Sequence, residues 1–60
     1  MLLSQIIRKT YVDAERDVPE HRLVDMQLAI LREDWTSLKW IAGPFIGQQL
    51  KNTVTDWINE

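Results

Sequence analysis

His21 is the sole histidine of the chain. With Asp17 and Asp25 it forms Asp-x-x-x-His-x-x-x-Asp, a spacing that sets three metal-ligand types along one side of a helix. A metal ion needs three or four convergent ligands, and histidine-based sites usually use more than one histidine. The spacing therefore reads as a surface histidine flanked by carboxylates, and no metal or cofactor is expected. Nucleophilic catalysis requires a serine, threonine or cysteine beside an oriented base. Ser4 and Ser37 fall at helix-surface or capping positions with no glycine-rich elbow before them. Glu33 and Asp34 are adjacent carboxylates, but neighbours on a helix diverge by about 100° and cannot flank one bond. Nor is there a glycine-rich phosphate cradle. The residues argue against an enzyme.

The elements that position these residues follow from hydrophobic spacing. Leu3, Ile6, Ile7, Thr10, Tyr11 and Ala14 make one stripe, predicting a helix from Leu3 to Ala14, with Lys9 and Asp13 spaced to pair on its outer side. Asp17-Val18-Pro19-Glu20 reads as a stop and restart, Asp17 capping the next helix and Pro19 suiting its first turn. The second helix is predicted from Val18 to Asp34. Leu23, Val24, Met26, Leu28, Ile30, Leu31 and Trp35 spread over more than half its circumference, leaving Arg22, Asp25, Ala29, Arg32 and Glu33 as a polar strip. An arc that wide predicts a central helix touching neighbours on two sides. Gln27 and Asp34 point into it and need partners if buried.

Residues 35–42 fit a short third helix capped by Thr36 or Ser37, or a short strand, because Trp, Thr and Ile alternate in part. Gly43-Pro44 ends that segment, with Gly43 as C-terminal cap and Pro44 opening a last helix to Asn59. Ile46, Leu50, Val54, Trp57 and Ile58 form its inward stripe. Gly47 lies in the helix interior at a penalty of roughly 1 kcal/mol against alanine, which predicts a close backbone contact there. The opposite face holds Gln48, Gln49, Asn52, Thr55 and Asn59, polar but uncharged, together with Phe45. The expectation is an all-α fold over 1–60: a small, oligomeric bundle of three main helices plus a short helix before the Gly-Pro bend.

The 60 residues are 45% hydrophobic with no cysteine, so no disulfide supplements a core near the lower size limit for unaided folding. Burial between subunits is the usual remedy, hence the expected homo-oligomer. Nine acidic and seven basic residues are interspersed, giving a net charge of −2. That balance shows neither a nucleic-acid footprint nor an acidic tail. No apolar run is long enough to span a bilayer. At the start of the chain the charges of Arg8 and Lys9 follow the apolar residues, the wrong order for a secretory signal, so a cytoplasmic location is expected. The first stripe could lie in a membrane interface, but Asp13, Glu15 and Asp17 follow at once, and no membrane partner is expected.

Leu50-Lys51-Asn52-Thr53-Val54-Thr55-Asp56-Trp57-Ile58-Asn59 resembles the end of the recognition helix in small helix-turn-helix repressors. That resemblance implies a dimeric DNA-binding regulator using its last helix. Asp56 stands where the pattern is usually basic, and Lys51 is the one cation after Lys39, so few phosphates can be neutralised. Protein binding is the favoured reading. Tryptophan is enriched at interface centres. Trp57 is in register with the core stripe, Trp35 borders the central helix, and Trp40 and Phe45 bracket the bend out of register with their own stripes. The expected interface is Trp35, Trp40, Phe45, Gln48, Gln49 and Asn52, in a non-enzymatic regulator, inhibitor or adaptor. Whether the bend presents Trp40 and Phe45 outward or tucks them under the first helix stays open at this level.

Overall fold

A computed structural model describes residues 2–59 of the chain. The expected domain, 1–60, includes residues 1 and 60, which lie outside the described residues. Four helices follow in order: α1 Leu3–Asp13, α2 Leu23–Leu31, α3 Trp35–Ala42 and α4 Pro44–Ile58, with a 3₁₀ turn at Glu20–Arg22 before α2. No strand forms among the described residues, so the segment 35–42 resolves as helix. The architecture is an all-α bundle. Helices α3 and α4 share the largest contact, α2 packs on α3, and α1 lies across α4 and α2.

The core is continuous and wholly apolar apart from one hydroxyl. Ile6, Ile7 and Tyr11 from α1 meet Met26, Ala29 and Ile30 from α2, Leu38 and Ala42 from α3, and Ile46, Leu50 and Val54 from α4. The Tyr11 hydroxyl donates to the Met26 sulfur at 3.6 Å, and burial pushes the phenol above its ordinary pKa. The apolar stripe of α1 thus faces the core, with Leu3 and Ala14 packed against it.

Two helix ends depart from the expected boundaries for one reason. Glu15 and Glu33 adopt left-handed backbone, φ 57° and 54°. After α1 the Arg16 N–H donates to the Tyr11 carbonyl at 2.9 Å and the Glu15 N–H to Val12 at 2.9 Å. After α2 the Asp34 N–H donates to Ala29 at 2.8 Å and the Glu33 N–H to Ile30 at 3.0 Å. Both are Schellman closures with glutamate where glycine is usual. A second helix running to Asp34 is therefore corrected: α2 is nine residues long. Its start is also later than expected. Pro19 precedes the 3₁₀ turn without a side-chain cap, so Asp17 does not cap it.

Asp34 instead caps α3, in place of Thr36 or Ser37. Its carboxylate accepts from the Ser37 hydroxyl at 2.6 Å and the Ser37 N–H at 3.2 Å. These two bonds, the hydroxyl first, hold the carboxyl below its ordinary pKa, against a small opposing effect of desolvation and with minor help from Arg32. A depressed folded-state pKa means the stabilisation is present above the unfolded value and is lost as pH falls through the folded one. We expect the stability advantage of the parent over Asp34→Asn, read from urea midpoints, to shrink as pH drops below about 4. An advantage that does not vary with pH would exclude a charge-dependent cap.

On the surface, Arg8 and Glu20 form a two-pronged ion pair between α1 and the 3₁₀ turn, its second prong at 3.0 Å. Both side chains are about half exposed, so the pair contributes little. Lys9 and Asp13 are not paired.

At the bend, Gly43 has φ 94° and ψ 154°, a region open essentially to glycine alone. Pro44 then occupies the first turn of α4. At Gly47 the backbone of α4 comes close to that of α3. A Cβ placed there would lie 2.9 Å from the Lys39 Cα, so the close approach expected from the sequence is present.

Candidate protein-interaction surface

Trp40 is 85% exposed, the most exposed large apolar side chain among the described residues. It sits on the last turn of α3, and the Gly43-Pro44 reversal sends α4 away beneath it. An apolar groove of about 390 Å³ opens there, lined by Thr36, Lys39, Trp40, Gly43 and Pro44.

Phe45 follows a different course. It is 58% exposed, yet the Arg16 guanidinium lies 5.9 Å from its ring centroid. A second groove, of about 210 Å³, is lined by Phe45 and Gln49 of α4 with Thr10 and Asp13 of α1 and Ala14 just beyond it. The alternatives left open by the sequence therefore divide between the two rings. Trp40 stands outward; Phe45 leans toward the end of α1, under a cation–π contact.

The remaining expected residues are not all brought together. Gln48 donates to Asn52 at 3.0 Å, one turn along the exposed face of α4. Trp35 is half-buried and packs against the core at the start of α3, apart from both grooves.

Trp57 was expected inside but is 41% exposed, with Ile58 at 64%. The buried stripe of α4 ends at Val54, one turn before the helix does.

Two features of α2 were misassigned. Ala29, placed on the polar strip, is buried, whereas Val24, Leu28 and Leu31 face solvent. Helix α2 does touch two neighbours, α3 and α1, yet the Val24, Leu28 and Leu31 part of its broad apolar arc stays exposed. An arc wider than the core requires was the available signal, and it admits a missing partner as readily as a second neighbour.

Among the described residues no three His, Cys, Asp or Glu side chains gather closely enough to hold a metal ion. Asp17, His21 and Asp25 thus form no cluster. No helix is long and apolar enough to cross a membrane. Comparison with protein-family models, with curated proteins and with solved structures finds no match.

Proposed function

We propose that this chain is a small, non-enzymatic, cytoplasmic regulator, inhibitor or adaptor that binds another protein and assembles with copies of itself through helix packing. The observation that carries the reading is Trp40, exposed beside an apolar groove on a rigid helix–bend–helix corner. An isolated exposed tryptophan in water leaves a large apolar area unused. Placed in a partner's pocket it supplies that area with little loss of side-chain freedom. Pro44 restricts the backbone of the corner beside it, which lessens the ordering that opposes binding.

Charge argues the same way. Asp56 and the half-buried Lys51 are the charged side chains of α4, a poor footprint for a phosphate backbone.

Trp40→Ala should weaken capture of the partner by tenfold or more while moving the melting temperature by no more than about 4 °C, since exposed substitutions rarely exceed about 0.5 kcal/mol. The measurement pairs thermal denaturation with pull-down from source-cell extract at low and high salt. A large fall in melting temperature with unchanged capture would place Trp40 in the fold rather than at an interface. Tight duplex-DNA binding that falls steeply with salt would replace this reading with a DNA-binding one.

A further inference from the structure

Helix α2 carries a second apolar surface that the fold leaves uncovered. Val24, Leu28 and Leu31 are 64%, 42% and 72% exposed. Steps of four and three residues align them as one stripe with the spacing of a coiled-coil seam. Met26, Ala29 and Ile30 occupy the opposite side and are buried. Asp25 and Arg32 follow Val24 and Leu31 by one position, seven residues apart, and so edge the stripe along the same flank. Neither has an ion-pair partner among the described residues. A groove of about 210 Å³ runs beside them, lined also by Leu28, Ala29 and Ile41. Asp34 reaches the same groove, but its carboxylate is engaged by Ser37.

From this we infer that α2 pairs with α2 of a second copy of this chain, antiparallel across a two-fold axis. The charges select both the occupant and the direction. A two-fold axis perpendicular to the helices sets each flank against its own counterpart, head to tail. Asp25 of each copy then meets Arg32 of the other, twice per dimer. The register that stacks Leu28 on its counterpart brings Asp25 within one residue, about 1.5 Å along the axis, of that Arg32. It also brings Val24 within one residue of the opposing Leu31. Parallel pairing sets Asp25 against the opposite flank, where Gln27 lies and no cation is offered. The groove beside Ile41 receives a leucine of the second copy as a knob.

Three apolar side chains and a charged rim cover less than the roughly 800 Å² per partner of a standard stable interface. The dimer is accordingly a weak one, with a dissociation constant on the order of 1–100 µM. This inference rests on the self-association proposed above and fixes its face.

Sedimentation equilibrium of the full chain tests it, with circular dichroism confirming that each variant is helical. Asp25→Arg and Arg32→Asp each face like charges across the axis and should raise the dissociation constant at least tenfold. The double variant should return to within threefold of the parent. An equimolar mixture of the two single variants should form a heterodimer tighter than either does alone. Leu31→Glu should weaken the dimer by about a hundredfold.

If the parent dimerises but these variants leave its constant within twofold, or if Trp40→Ala is the variant that shifts it, α2 is not the interface while self-association stands. Loss on single substitution without recovery in the double variant would overturn the antiparallel charge pairing. A parent that stays monomeric throughout would overturn both the face and the self-association beneath it.

Discussion

Leu50→Ala should leave most of the chain unfolded at 25 °C in dilute solution. Leu50 is fully buried at the middle of the α4 stripe, between Ile46 and Val54. Removing a buried leucine side chain down to alanine costs about 2–5 kcal/mol, the spread reflecting how far the site can collapse. Collapse is limited here. Ile7, Met26, Leu38 and Ile46 are the other large side chains wholly enclosed in the core, and few layers remain to shift inward. A domain of this size rarely has more than about 3–5 kcal/mol in total. The loss and the whole are of the same order, so one substitution decides the state. Far-ultraviolet circular dichroism against urea would read it. A variant retaining a cooperative melt within a few degrees of the parent would mean that the core does not depend on this site.

The second large effect is at Gly47, where two terms oppose. Alanine in a helix interior gains roughly 1 kcal/mol over glycine from propensity. Against that, a Cβ at Gly47 would meet Lys39 Cγ at 2.7 Å, Cα at 2.9 Å and Cβ at 3.3 Å. The Cγ could swing aside, but the Cα is backbone, so α3 and α4 must separate. Overpacking of this kind costs typically about 1–3 kcal/mol, and α3 with α4 forms the most extensive helix contact of the bundle. Steric cost wins. Because the obstacle is backbone, the cost falls in the upper part of that range, about 2–3 kcal/mol. Gly47→Ala should therefore destabilise by about 1–2 kcal/mol net, lowering the melting temperature by roughly 5–15 °C for a chain this short. A rise in melting temperature would show that propensity prevails and that the helices are not in close backbone contact.

What the sequence revealed and what it hid have physical reasons. The stripe of α1, the Gly43-Pro44 reversal and the close approach at Gly47 were legible because each rests on local constraint: side-chain period, a missing N–H, a missing Cβ. The two Schellman ends were hidden because Glu15 and Glu33 take a backbone conformation that nothing in their side chains announces.

At the candidate surface, the exposure of Trp40 was half-legible: it is out of register with Leu38 and Ala42, which are buried, but register left open whether the bend tucked it under α1. That of Val24, Leu28 and Leu31 was not legible, since an apolar stripe on a helix reads the same whether a neighbour within the chain or a second chain covers it. Trp57 fails for a related reason. Register placed it on the inner face, but register does not say where the covering helix stops.

The central claim is that a bundle of this size, with Val24, Leu28 and Leu31 in solvent on one helix and Trp40 on another, completes its burial against another polypeptide, first of all a copy of itself. Light scattering coupled to gel filtration, over loads from about 1 µM to several hundred micromolar, spans the range in which such an interface exchanges. The mass should climb from 7.1 kDa toward twice that value as concentration rises. A mass of 7.1 kDa at every load, from a chain that still melts cooperatively above about 60 °C, would contradict it.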